Sequence, residues 1–338
     1  MDTLPPSNHL PHIGNIFSRV GCVATCLCNG LLIFLTVSGT RRINGAFKYL
    51  IIIFSTVCIF FLCLEILAHP YLQNYNGGFI YFSLNTPSSY FPEEFSKFLI
   101  ILYAGTYASI MCLVAIQFVY RYAALMNLKP LLSSFKGWKS VIWIFYVLFF
   151  SFVFGLLCQV CAFPEPYSDS YMRDEIRKLY NLEVSRVPRS IVVAYNPDDS
   201  IRWFNLGFLF GAMFILAFQY VLIAYCGIQM QRQMTRELKN FSIPHRKLQQ
   251  QFFKALVVQI TIPTILYHLP ALPVLFSPLF NLKLSIQSGF IFSIFSIYPP
   301  VDTLAFMWIV SEYKDAVKKI IYRKSKVSTK LVSEILTT

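Results

Sequence analysis

The stretch FLIILYAGTYASIMCLVAIQFVYRY, Phe98 to Tyr122, decides the fold. It runs 23 residues, Phe98 to Tyr120, without a charge and then meets Arg121. At a 1.5 Å rise per residue, about 20 apolar residues cross the roughly 30 Å hydrocarbon core of a bilayer. Arg121 then falls where such a helix meets water, between Tyr120 and Tyr122, whose rings suit that boundary.

Six more stretches of this kind follow from the rest of the chain. They are Val20 to Val37, Tyr49 to His69 with Glu65 inside it, Ser140 to Ala162, Trp203 to about Gln229, about Ala255 to Phe276, and Ile286 to Val310 with Asp302 inside it. Of the 338 residues 56% are apolar and only 13% charged, against roughly 25% charged in soluble domains. The fold class is therefore all-α membrane, a bundle of seven transmembrane helices. The first span lacks a basic leader and a cleavage site, and is expected to be retained.

The net charge of +13 raises nucleic acid as a partner, and its placement excludes it. Twenty of the 29 Lys and Arg lie in Arg41–Lys48, Arg121–Lys139, Arg232–Lys254 and the tail beyond Val310. The other side holds nine, six of them in the loop Phe163–Arg202, where seven acids offset them. Cations gather on the cytoplasmic side, so the N-terminus is expected outside and the C-terminus inside, with anionic inner-leaflet lipid reinforcing the bias. The chain then divides into an extracellular N-terminus 1–19, a transmembrane domain 20–310, a surface helix 311–322 and a cytoplasmic tail 323–338. In the surface helix Tyr313, Ala316, Val317, Ile320 and Ile321 share one face, opposite Lys314, Lys318 and Lys319. The 40-residue loop between spans four and five is polar, and loops of that length are functional or disordered. The one N-x-S/T match, Asn240-Phe241-Ser242, falls on the cytoplasmic side and is expected to stay unused.

No Gly-rich phosphate loop, H-E-x-x-H pair or paired CxxC zinc spacing appears, so no catalytic residue, metal or cofactor is expected, and the chain does not read as an enzyme. The nine cysteines sit mostly in apolar runs; Cys158 and Cys161 form a lone CxxC, and the sequence leaves open whether they form a bridge. The intramembrane charges carry more. Arg121 reads either as a lock between the inner ends of helices three and six or as a positive-inside anchor, and position 120 is Tyr, so no acid adjoins it. A charged centre inside a span costs about 2.5–3.5 kcal/mol, so Glu65 is either a pocket contact or a carboxyl, protonated or paired with His69 one turn on, that stabilises helix packing. Asp302 follows Tyr298-Pro299-Pro300, where the prolines bend the helix, and Asn29 of the first span is its expected partner. Pro263, Pro270 and Pro273 kink span six, and Gly207 and Gly211 give span five a small-residue packing face.

At this point the sequence resembles a family. Phe118-Val119-Tyr120-Arg121-Tyr122 is similar to the third-helix ending of the nematode seven-transmembrane chemoreceptors of the Str class, and Gly45-Ala46-Phe47-Lys48-Tyr49-Leu50 to its entry to helix two. Glu65 before Pro70, Tyr225-Cys226-Gly227, Ser277-Pro278-Leu279-Phe280 and Tyr298-Pro299-x-x-Asp302 follow in order. The most specific match is the run from Leu248 through Phe252, Lys254 and Gln259 to Ile262-Pro263. The resemblance covers about Gly14 to Tyr322.

It implies a G-protein-coupled-receptor-like bundle, a chemosensory receptor similar to odorant receptors, in the plasma membrane of a sensory-neuron cilium. The implied partners are a small, volatile or apolar odorant-like ligand, a heterotrimeric G protein and membrane lipid, with a receptor oligomer left open. Glu65, His69, Tyr107 and His268 are the candidate ligand contacts. Arg121, Tyr122, Asn29, Tyr298, Pro299, Asp302 and Lys254 are the candidates for activation and G-protein coupling. Span seven has no lysine for a retinal Schiff base, and the loop 163–202 has no cysteine for the bridge common in rhodopsin-like receptors. The rival reading is a multi-span transporter or an odorant-gated channel, although no internal repeat is visible.

Overall fold

The computed structural model describes residues 9–40, 45–85, 92–237, 243–280, 282, 284–286 and 289–319. Helix α1, His9–Phe34, continues through a π-helical turn, Leu35–Gly39. Gly45, at a φ of 76° that an L side chain rarely takes, leads into α2, Ala46–Ala68. His69 ends α2 in the left-handed conformation, with its N–H on the Glu65 carbonyl. After α3, Glu93–Leu125, come the short α4, Lys129–Ser133, and α5, Val141–Val160. Helix α6, Pro166–Tyr180, lies in the long loop; α7, Trp203–Glu237, follows it. Span six is α8, Ile243–Pro263, a π-helical turn Thr264–His268, and α9, Leu269–Phe276. Pro270 has no N–H and would press on the carbonyl four residues back; the wider turn between Pro263 and Pro270 accommodates both prolines. Helix α10, Gly289–Ile309, is the last span, and residues 311–319 form α11.

Six helices among the described residues are long and apolar enough to cross a membrane, and α10, at 21 residues or about 31 Å, is the seventh. The bundle is the expected seven-helix one. Helix α3 runs through its middle, touching α2, α5, α7 and α8, while α1 packs on α2 and α10. In α3 78% of the apolar window is buried against 17% in α5, so α3 is core and α5 faces lipid.

Several helices outrun their apolar stretches. The first begins at His9 rather than Val20, α3 at Glu93, and α8 at Ile243 rather than Ala255; α7 continues two turns past Gln229. Hydropathy locates the part in lipid, and a helix continues into water where capping and charge support it. Glu93 and Glu94 favour the positive end of the α3 dipole, and Lys97 reaches both at 3.1 Å.

The long loop, expected to be either functional or disordered, carries regular structure and joins a sheet. A capping box between Glu165 and Ser168 starts α6, and Asn181 in the left-handed conformation ends it. Strand β1, Pro70–Asn76, turns through Asn76-Gly77 into β2, Gly78–Ser83; β3, Arg189–Val193, comes from the long loop and β4, Leu284–Ile286, from the connection after α9. They form one antiparallel sheet in the order β3-β2-β1-β4, with Phe79 opposite Val192 and Asn74 opposite Ile286. Three separate connections thus close over one end of the bundle. Tyr71, Phe82, Met172, Ile176 and Ile191 fill the space between sheet and α6. Burial raises the phenol pKa of Tyr180, which donates to Gln73 Oε1 at 2.8 Å. The sheet is tied down by Tyr81 Oη donating to the Ile100 carbonyl at 2.9 Å and Asn74 Nδ2 to Ser277 Oγ at 2.6 Å.

Glycines allow close approaches between helices at Gly211 and Gly21. Gly211 of α7 faces Leu157 of α5, as its small-residue spacing suggested. Gly21 of α1 lies on the backbone and Cβ of Ser296 in α10, with no room for a Cβ of its own. Gly21→Val is expected to push α1 off α10 at a cost of about 1–3 kcal/mol. The thermal unfolding midpoint of the purified chain should fall; an unchanged midpoint would show that the contact does not need glycine.

In α11 Tyr313 and Ala316 are buried and Lys314, Lys318 and Lys319 exposed, the expected amphipathic pattern. Tyr313 Oη lies 2.9 Å from Thr36 Oγ1, which seats α11 on α1. Ile320 to Tyr322, the tail 323–338 and Asn240 lie outside the described residues.

Candidate functional site

Among the described residues, three polar clusters inside the bundle contain candidate site residues. Nearest the sheet is Glu65, 1% exposed. Ser18 of α1 and Ser296 of α10 donate to its Oε1, and Tyr103 of α3 donates to Oε2 at 3.3 Å. One carboxyl thus joins four helices. The expected pairing with His69 is not made. The left-handed cap turns that side chain out of the α2 helical path, and its Nδ1 meets Asn85 Oδ1 at 2.9 Å.

One turn further along α3 stands Tyr107, hydrogen-bonded to His268 Nε2. These two candidates, far apart in sequence, meet. The Pro263 carbonyl, 3.1 Å from His268 Nδ1, can only accept, so Nδ1 carries a proton there. Tyr220 Oη lies 3.0 Å from Nδ1 and 2.6 Å from Thr264 Oγ1, which adds α7 to the network. The π-helical turn presents His268 and Thr264 together. Tyr267, Phe295 and Phe154 surround Tyr107 with ring centroids at 5.4, 5.5 and 6.1 Å, and Phe61 bridges Tyr103 and Phe295. The two polar clusters are therefore the ends of one aromatic box.

Toward the other end lies Asp302, 2% exposed. Its expected partner Asn29 is engaged elsewhere, accepting from Thr303 Oγ1 at 2.9 Å and donating to the Thr25 carbonyl at 3.2 Å. Asp302 instead faces Gln259 of α8 and Gln117 of α3 across a small space inside the bundle. It thus lies toward spans three and six, while Asn29 bonds to its neighbour Thr303. Tyr298 is buried beside it, one residue before Pro299 in the proline pair of α10.

Arg121, 8% exposed, closes the series. Its guanidinium carbon is 3.4 Å from the Phe47 ring centroid and 3.7 Å from that of Phe252. The cation is clamped between rings of α2 and α8, in a position where a guanidinium gains from ring faces without an acid. Tyr122 turns away and packs edge-on to Tyr225 of α7 at 6.0 Å, and Lys254 is exposed at this end. Cys158 and Cys161 are free thiols.

Sequence reading missed Ser18, Tyr103 and Ser296 around Glu65, Tyr220 and Thr264 around His268, Gln259 at Asp302, and both clamp rings. Phe47 and Phe252 do lie inside the quoted motifs, but nothing in the sequence pairs them with Arg121.

Comparison with known proteins fits this geometry. A model of the serpentine type seven-transmembrane G-protein-coupled chemoreceptors, Str, matches residues 14–318. The chain is 42% identical over 317 residues to the G-protein coupled receptor str-33 of Caenorhabditis elegans, covering 92% of each. It is 28% identical to the serpentine receptor class r-10 of the same nematode, covering 87% of each. Squid rhodopsin shares the fold with a TM-score of 0.55 at 13% identity, over 94% of this chain and 82% of that one. A bundle of seven membrane helices with a buried arginine at the end of the third, matched over nearly its whole length, belongs to the Str family of serpentine chemoreceptors, multi-pass membrane proteins of the G-protein-coupled receptor type.

Proposed function

We propose that the chain detects a small, uncharged, largely apolar molecule in the aromatic box and signals to a heterotrimeric G protein at the arginine end. The observation that carries this reading is the Arg121 clamp. A buried cation held by α8 through the Phe252 ring is released when the inner end of span six moves. The sequence segments that alternate to one side of the spans carry twenty of the 29 cations, which supports an outer N-terminus and a cytoplasmic C-terminus. The sheet then caps the outer face, and Lys254 and α11 flank the G-protein surface. The chemosensory family supports a plasma-membrane site in the cilium of a sensory neuron.

The box is lined mainly by rings, with Tyr107 and His268 giving one hydrogen-bonding position and Glu65, Tyr103 and Ser296 another. Ligand binding favours the open state by its affinity difference between states. The test is a screen of small odorants on cells displaying the chain at the surface, read by calcium or cAMP. A response that disappears in cells lacking Gα subunits is expected; an ion current that persists there would overturn the assignment in favour of a channel. With an agonist in hand, Tyr107→Phe should raise its half-maximal concentration about fivefold, as expected for about 1 kcal/mol of hydrogen bonding. An unshifted dose–response curve would remove Tyr107 from the ligand site.

A further inference from the structure

A groove of about 1220 Å³ runs along the lipid-facing side of the bundle between α2, α3 and α5. Its wall on α3 extends from Glu94 to Ile116, about 33 Å, the full thickness of the hydrocarbon layer. Its hydroxyls are already engaged: Ser109 and Ser151 bond each other at 2.6 Å, and Thr106 donates to the Leu102 carbonyl at 2.7 Å. The middle of the groove suits hydrocarbon. Its ends differ in charge. At the sheet end Lys97 is shared between Glu93 and Glu94. At the arginine end the wall is Tyr49, Gly137 and Ser140, with Lys136, Trp138 and Lys139 exposed beside it. No Asp or Glu occurs in 41–64 or 121–140, the segments that meet there, so these lysines have no acid from either.

We propose that the groove holds one anionic phospholipid of the leaflet at the arginine end, its phosphate headgroup against Lys136 and Lys139 and an acyl chain along α2, α3 and α5. The charge asymmetry of the rims selects the headgroup, and the apolar walls accept the chain. The site also adjoins the clamp. Phe135, in the groove wall, stacks on Trp143 at 4.5 Å and meets Tyr120 edge-on at 5.1 Å. Tyr120 stacks on Phe47 at 5.8 Å, and Phe47 carries Arg121. A lipid seated here bears on the rings that hold Arg121.

The test reads binding alone, so its failure is distinct from failure of the signalling proposal. Full-length protein with Trp138, Trp203 and Trp308 replaced by Phe keeps Trp143, in the groove, as its only indole. In phosphatidylcholine nanodiscs, chain-brominated phosphatidylserine should quench Trp143 at much lower mole fraction than chain-brominated phosphatidylcholine. Lys136→Gln and Lys139→Gln should each lower that preference about fivefold, as expected for a lysine at an anionic surface. Equal quenching by the two lipids would overturn the proposal, as would a preference that survives the double substitution. Should the single-indole variant fail to fold, native mass spectrometry of the wild-type chain and the double variant makes the same comparison of retained lipids.

Discussion

Arg121→Ala is expected to abolish the agonist response with surface display intact, whereas Phe252→Leu is expected to raise signalling without agonist. The opposite signs follow from the clamp. A desolvated cation–π contact is worth about 2 kcal/mol, or roughly a 30-fold shift between resting and active states. A receptor about 1% active at rest would become about a quarter active. Leucine keeps most of the ring's volume in a core position, so the loss is mainly of the ring face. Phe252→Tyr should restore the low basal signal because it keeps a ring, and Phe47→Leu should behave like Phe252→Leu. Arg121→Ala also releases the clamp, but it removes the group proposed to meet the G protein. Unchanged basal signalling in both Phe→Leu variants would return Arg121 to the role of a positive-inside anchor.

The parts of this arrangement legible in the sequence are those set by long averages. Seven apolar runs and their flanking cations specify a seven-helix membrane bundle, because about 20 residues must agree before a span is written. The sheet was less accessible. Asn76-Gly77 between Pro70–Tyr75 and Gly78–Ser83 is a strong two-residue hairpin signal, present in plain view yet overshadowed by the spans on either side. The pairing of that hairpin with Arg189–Val193 and Leu284–Ile286 is a tertiary event with no local trace. Asp302 shows the finer limit. Each residue advances about 100° around a helix, so Thr303 faces Asn29 while its neighbour Asp302 turns toward Gln259 and Gln117. Composition announces that a buried acid needs a partner, and helix phase decides which one it meets.

The largest stability effect is expected in the cap. Arg189 of β3 grips Asp169 of α6 with two parallel bonds, Nε to Oδ1 at 2.7 Å and Nη2 to Oδ2 at 2.6 Å, and its Nη1 donates to the Ser185 and Val187 carbonyls at 3.2 and 3.1 Å. The side chains are 10% and 18% exposed, so this is a largely desolvated pair. With no cysteine in 163–202, it is the strongest polar tie among the described residues between α6 and the sheet. Arg189→Ala leaves a carboxylate without its cation and should cost about 3 kcal/mol, the lower end for a broken buried pair because Asp169 keeps some water. That is roughly a 150-fold rise in the open population of the cap, read as faster cleavage between Pro164 and Arg189 under limited proteolysis. Arg189→Met with Asp169→Leu should recover much of the resistance, since apolar replacement of both partners removes the stranded charge. Equal protease resistance in Arg189→Ala and the wild type would mean that packing of Met172 and Ile176 on the sheet holds α6 without the ion pair. The seven-helix bundle should stay intact in every one of these variants, because Arg189, Asp169 and the residues between α6 and the sheet lie outside the apolar core around α3.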